Sequence, residues 1–299
     1  MTHYQLVAQN KQKSLVVVFL FTLFVTGAAW VMAEGFGYNL SMVGIVLIIS
    51  GITSFSSYWW SDKLVLAISG AKPANRQDHF DFYTSAENLA HSQQMPIPKL
   101  YVIEDTAMNA FATGRDPEHA VICCTTGILS RLSRPEVEGV IAHELSHIKN
   151  YDIRLMSIVS VLVGMLALLS DFMLRSRFLG GQKRESRESS QLDAILMIVG
   201  LVLAILSPLI AKLIQLAISR RREFLADASG VAMTKNPEGL AKALEKLSMD
   251  REPLEAANKA TAHLYISDPL KNSQPSFAKF FQTHPPITER IDALRKMTH

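Results

Sequence analysis

Cysteine is nearly absent from this chain: Cys123 and Cys124 are the only two among 299 residues, and they are neighbours. Adjacent side chains in a strand point to opposite faces, so this pair neither bridges easily nor shares a metal ion. A disulfide scaffold is excluded, and both thiols are expected to be small core residues in a reducing compartment. Charge is scarce too. Asp, Glu, Lys and Arg make up 19% of the chain, and the net charge of +3 is too slight to mark nucleic acid as a partner. Internal repeats and low-complexity tracts are missing, although Gly180 to Ser190 is polar enough for a loop. The excess is apolar: 48% hydrophobic residues and a mean hydropathy of +0.16. With so few charges to interrupt it, that excess must be concentrated in segments.

Four segments hold it. Leu15 to Ala33 and Leu40 to Tyr58 carry no charge and are separated only by Glu34 and a short glycine-containing turn. Each is long enough to cross a hydrocarbon core as a helix, which takes about 20 residues. Trp30, Tyr58, Trp59 and Trp60 suit an aromatic belt at the ends of such a hairpin. Val31-Met32-Ala33 resembles a signal-peptide cleavage site, but the run is long for a signal core and a second span follows at once, so an uncleaved anchor is expected. Leu155 to Leu174 and Leu192 to about Ile218 form a second candidate hairpin, with Pro208 as a kink. Basic residues flank the first pair at Lys11, Lys13, Lys63, Lys72 and Arg76, which places both ends on the cytoplasmic side. Arg175, Arg177, Lys183, Arg184 and Arg187 lie between the third and fourth stretches, against that rule if the second hairpin crosses fully. A full crossing and a re-entrant hairpin both remain open from sequence.

Between the hairpins, Lys99 to Ile103, Asn109 to Thr113 and Ala120 to Thr125 read as strands. A helix then begins with its own punctuation. Ser133 is a candidate N-cap, Pro135 lies in the first turn, and Glu136 completes a capping box three residues after the serine. This helix should continue through Ile148 and run straight into the third apolar stretch. Further helices are expected near Pro237–Leu247 and Pro286–Met297.

The capped helix carries His143-Glu144-Leu145-Ser146-His147. Residues four apart share a helix face, so both imidazoles can bind one Zn²⁺, and Glu144 flanks that face as a general base toward an activated water. No histidine follows in the local extension, where Asn150 and Ile153 stand instead, so the third ligand comes from elsewhere and a carboxylate is expected. Glu223 is the candidate. It lies in Arg220-Arg-Arg-Glu-Phe-Leu-Ala-Asp227, a helical continuation of the fourth stretch, with Asp227 one turn later on the same face, placed to hydrogen-bond a ligating imidazole. Two crossings separate His147 from Glu223, so the chain returns to the same surface. Glu185 and Glu188 lie in the polar loop, and Glu238 and Glu245 sit in a helix with nearby lysines, where a solvated surface explains them.

At these residues the chain resembles the HtpX family of membrane zinc endopeptidases. The likeness covers two early spans, Asn109 to Gly114, His143 to His147 followed by Asp152, a second hairpin, Glu223 to Asp227, and His284-Pro-Pro286 with Arg290. It implies a quality-control protease of the bacterial inner membrane, multi-pass, acting from the cytoplasmic side on misfolded membrane proteins. It also implies that the Asn109 strand holds substrate backbone, as an exposed strand edge can, and that His284 approaches the site. The expected fold is an α+β, zincin-type (gluzincin) domain split by one hairpin and anchored by another, with about four membrane helices. The expected domains are residues 1–60 as the N-terminal hairpin, 61–154 as the first catalytic part, 155–219 as the second hairpin, and 220–299 as the second catalytic part. One Zn²⁺ per chain, protein substrates and a lipid bilayer are the expected partners. A processing peptidase for a lipidated substrate and a zinc-stabilised scaffold are the rivals. The scaffold would need a fourth protein ligand, commonly Cys.

Overall fold

The computed structural model describes residues 3–36, 40–162, 220–257, 261–269 and 285–298. Most of the third apolar stretch, all of the fourth, the 180–190 loop and His284 lie outside the described residues.

The sheet forms where β-branched and small apolar residues cluster between turns. Its strands are β1 (Lys72–Pro73), β2 (Lys99–Ile103), β3 (Ala110–Thr113) and β4 (Val121–Thr125), in the order β1-β2-β4-β3. β2 and β4 are parallel, while β1 and β3 are antiparallel to their neighbours, which leaves β3 on an edge. Alternation along β4 divides its side chains between two cores. Ile122 and Cys124 join Phe82, Ala86, Val140, Leu145 and Leu244 on the helical face. Cys123 joins Val65, Phe111, Met156 and Tyr265 on the other. Both thiols are free and fully buried, as expected of core residues.

Helices α1 (His3–Phe36) and α2 (Leu40–Trp59) pair, with the Thr22 and Ser54 hydroxyls 3.1 Å apart. Their outer faces expose Leu15, Phe19, Leu23, Ile48, Ile52 and Phe55. Among the described residues no helix is long and apolar enough to cross a membrane. Short helices α3 (Ser61–Ile68), α4 (Phe80–Ser92) and α5 (Thr126–Arg131) follow, together with β1, none of which the sequence marked out.

Helix α6 (Arg134–Lys149) starts as its punctuation predicts: Pro135 sits in the first turn, and Glu136 Oε2 accepts from the Ser133 N–H at 2.7 Å. One expectation is corrected here. α6 does not run straight on; it ends at a turn through Asn150 and Tyr151, and a new helix covers 152–162. Tyr151 has φ +60°, a left-handed conformation that interrupts the helix and leaves Asp152 in contact with His147 of α6.

Helices α7 (Arg220–Thr234) and α8 (Pro237–Met249) pack against α6, and α9 (Ile287–Arg295) packs against α8 and α7. Small residues set the spacing. A Cβ built on Gly230 of α7 would lie 3.1 Å from the His143 backbone nitrogen, and one on Gly139 of α6 would lie 2.7 Å from the Leu240 nitrogen of α8. The second approach predicts the outcome of Gly139→Ala. Alanine favours a helix by about 1 kcal/mol over glycine, but forcing α8 away from α6 costs about 1–3 kcal/mol. The clash is against backbone and should win, lowering the thermal midpoint. A variant melting at or above the wild-type temperature would contradict this packing.

Candidate metal centre

One turn of α6 separates His143 from His147, and their rings meet edge to face with centroids 4.7 Å apart. The two Nε2 atoms face one another at 3.2 Å. Glu223 reaches the same point from α7, with Oε2 3.7 Å from His143 Nε2 and Oε1 3.6 Å from His147 Nε2. All three are buried and form a group able to hold a metal ion. A tetrahedral zinc bound to N and O at about 2.0–2.1 Å keeps its ligand atoms about 3.3–3.4 Å apart. The Nε2 atoms at 3.2 Å, with one Glu223 oxygen 3.7 Å from His143 and the other 3.6 Å from His147, lie near that spacing, so the residues present fit the ion.

Each imidazole has its other nitrogen turned to a carboxylate. His143 Nδ1 lies 2.9 Å from Asp227 Oδ1, and His147 Nδ1 lies 3.0 Å from Asp152 Oδ2. A proton held on Nδ1 by such a partner leaves Nε2 as the bare acceptor a metal requires. The carboxylates are fixed in turn. Arg290, fully buried on α9, donates to Asp227 through Nε at 2.8 Å and Nη2 at 2.7 Å, and its Nη1 lies 3.4 Å from Glu223 Oε2. Arg222 Nη1 and Asn10 Nδ2 both donate to Asp152 Oδ1, at 3.3 and 2.7 Å.

Burial drives the electrostatics. It raises the Glu144 carboxyl to about 7, with Glu223 adding to the effect and His147, Arg290 and the Ala112 backbone opposing it. Burial also lowers His143, reinforced by Arg290. For His147, burial is outweighed by the Asp152 hydrogen bond and by Glu223, and its pKa rises to about 9. Asp227 would be raised by burial, but Arg290 and His143 hold it below the usual carboxylate range.

Asn109 sits at the start of the β3 edge, only 1% exposed. Its amide is engaged within the chain: Nδ2 donates to the Ser267 carbonyl at 3.1 Å, and Oδ1 accepts from the Ser267 N–H at 3.4 Å. The Ile266 N–H donates to the Ala110 carbonyl at 2.9 Å on the same edge, and Arg290 Nη1 donates to the Ile266 carbonyl at 3.2 Å. Residues 265–267 therefore cover the edge on which an external backbone was expected. Sequence reasoning names Asp152, Arg290 and the run containing Arg222 without assigning them these contacts, and passes over Asn10. Asp152 lies five positions after His147, a spacing that no straight helix would bring into contact. The signal became readable only with the turn at Tyr151.

The profile of peptidase family M48 matches residues 80–298. A protein described as "Protease HtpX homolog" from Thermoanaerobacter pseudethanolicus is 41% identical over 298 residues, covering 99% of this chain and 98% of the relative. One of the same description from Streptococcus uberis is 41% identical over 300 residues, covering 98% and 99%. The crystal structure of S. mikatae Ste24p overlaps 97% of this chain and 67% of its own at a TM-score of 0.47 and 18% identity, too distant to bear on the site.

Two outcomes follow from this geometry. A metal must displace the proton that His147 binds up to about pH 9. Apparent metal affinity should therefore fall as pH drops below about 9, by up to about tenfold per unit, with proton release on metal uptake. Calorimetry in buffers of different ionisation enthalpy measures that release, and a pH-independent affinity would contradict it. Glu223→Ala should lose zinc sharply, whereas Asp227→Asn should weaken it by about 10- to 100-fold. Elemental analysis of folded, purified variants decides this; wild-type zinc affinity in Glu223→Ala would remove that residue from the ligand set.

Proposed function

We propose that this chain, which belongs to peptidase family M48 and is a metalloprotease, is a membrane-anchored zinc endopeptidase that cleaves misfolded or damaged membrane proteins. The observation that carries the reading is the three-residue group of His143, His147 and Glu223. Three protein ligands leave a coordination position for reactants, as catalytic zinc sites do and four-ligand structural sites do not.

Zinc bound there would act as a Lewis acid on the scissile carbonyl and lower the pKa of the attacking water to about 7. The chain's own residues do the rest. Asp227 and Asp152 orient the two imidazoles, and Arg290 fixes Asp227. Glu144, with a carboxyl near 7, is matched to take a proton from the water and return it to the leaving amine at neutral pH. Its neighbour, the Ala112 backbone, belongs to the β3 edge, so the base stands beside the strand on which an extended peptide would lie. Residues 265–267 already illustrate the grip: one main-chain bond from Ala110 and a two-point contact from Asn109. A substrate would take their place, which is the role we assign to Asn109. His284 is proposed to approach the same end of the site.

Membrane anchoring rests on the uncharged runs Leu15–Ala33 and Leu40–Tyr58 and on the exposed apolar faces of α1 and α2. The second hairpin is proposed for residues 155–219. Its ends support a return to one surface, because Arg222 at the far end reaches Asp152 at the near end. The flanking lysines favour the cytoplasmic face of a bacterial inner membrane. The four parts proposed from sequence, 1–60, 61–154, 155–219 and 220–299, then alternate between anchor and catalytic domain.

Glu144→Gln tests the mechanism. The purified variant should keep its zinc and lose casein cleavage by at least about 10²-fold, since the base is gone and the ligands remain. Chelator treatment of the wild type should abolish the same cleavage. Full activity in Glu144→Gln would end the mechanism.

A further inference from the structure

The turn that aims Asp152 at His147 is bounded by two groups that need partners. Before Tyr151 stands the Asn150 carbonyl, and after it the Asp152 carboxylate, of which Oδ2 is committed to His147. A single amide from the N-terminal helix meets both. Asn10 Nδ2 donates to the Asn150 carbonyl at 2.9 Å and to Asp152 Oδ1 at 2.7 Å, so its two hydrogens bridge the left-handed residue. Lys11, next in α1, rests its ammonium 4.4 Å above the Tyr151 ring. Asn10 is 4% exposed and opens the buried face of α1 that continues through Ser14 and Val17, whereas Gln9, Lys11 and Gln12 beside it are exposed.

A carboxylate has two oxygens, and rotation about its bond to Cβ decides which one meets the imidazole. Asn10 and Arg222 share Oδ1 and thereby fix Oδ2 on His147 Nδ1. Remove the amide and Asp152 keeps one lateral partner in place of two, while the Asn150 carbonyl loses its bond from α1. Outer partners of this kind orient the ligands, and losing one typically costs about 10- to 100-fold in metal affinity.

We propose that Asn10 is a positioning residue for the metal centre, acting through Asp152 on His147, so that α1 is a working part of the site as well as an anchor. This rests on the zinc-site reading above. The test uses the full-length protein in detergent and three variants. Asn10→Asp exchanges one nitrogen for oxygen and sets a carboxylate against Asp152, Asn10→Leu removes the donor, and Gln12→Ala alters an exposed residue of the same turn. Zinc transfer to a chelator and the visible spectrum of the cobalt-substituted protein are recorded for each. The expected result is metal loss about tenfold faster in Asn10→Asp and Asn10→Leu, with altered cobalt bands, and wild-type behaviour in Gln12→Ala. Asn10→Gln, which keeps a donor, should fall between wild type and Asn10→Leu. Wild-type spectra and transfer rates in folded Asn10→Asp would overturn the proposal while leaving the zinc site intact. A wild-type chain that binds neither zinc nor cobalt would overturn both.

Discussion

Two imidazole nitrogens facing each other at 3.2 Å in a buried site is the constraint on which the surrounding structure depends. With Nδ1 of each ring protonated toward its carboxylate and both Nε2 atoms bare, they oppose lone pairs, which a cation between them satisfies. In its place, a proton on His147 Nε2 shared with His143 serves the same end. The wider charge balance asks for the same thing. Glu144, Asp152, Glu223 and Asp227 are buried together with Arg222 and Arg290, an excess of two negative charges when all are ionised. Uncompensated charge at that depth is among the most costly features a fold can carry. A divalent cation at the convergence of His143, His147 and Glu223 removes the deficit, and the raised pKa of Glu144 and His147 is how the protein adjusts without it.

Holding that arrangement requires distant pieces of chain. Asn10 and Asp152 are 142 residues apart in sequence, Arg222 and Asp152 are 70 apart, and Arg290 and Asp227 are 63 apart. No single helix pair supplies the site. α6 brings the imidazoles, α7 brings Glu223 and Asp227, α9 brings Arg290, and α1 closes the far side. The close approach at Gly230 lets α7 come near enough to α6 for a glutamate to reach between the rings. Metal binding at this group would therefore be coupled to tertiary assembly, because each residue around it is also a tie between elements.

How much of this was legible in the sequence follows from the range of each interaction. Local rules read α6 well. Its capping box, proline and i,i+4 histidines lie within one short window, and the structure reproduces its start within a residue of the expected place. The strands at 99–103, 110–113 and 121–125 were equally local. Glu223 follows as a candidate from chain direction through two apolar stretches, an argument that needs parity and no contact map, and the structure brings it beside the two histidines. What escaped was whatever a turn decides. Tyr151 is an ordinary residue in a left-handed conformation, with no glycine to advertise it, and so the break after α6 and the use of Asp152 were invisible. Asn10 escaped for the opposite reason: it sits in a polar run beside a hydrophobic helix, where a solvated flank is the natural reading.

The same turn also bears on where substrates can come from. Arg154, two residues beyond Asp152, stacks on Tyr58 and Tyr151, while Arg115, two residues beyond β3, covers Trp59. The aromatic end of α2 is thus pinned between the helix that follows the metal-binding segment and the strand that would carry substrate. Cation–π contacts of this kind are individually modest, but two of them at one corner set the position of the apolar hairpin relative to the β3 edge. In the proposed function the distance from lipid to scissile bond is then a property of the fold. A segment leaving the bilayer would meet β3 without unfolding the anchor, whereas one from a distant soluble domain would have to reach down to it. Preference for membrane-tethered chains would follow from that placement even if the strand itself read no side chain.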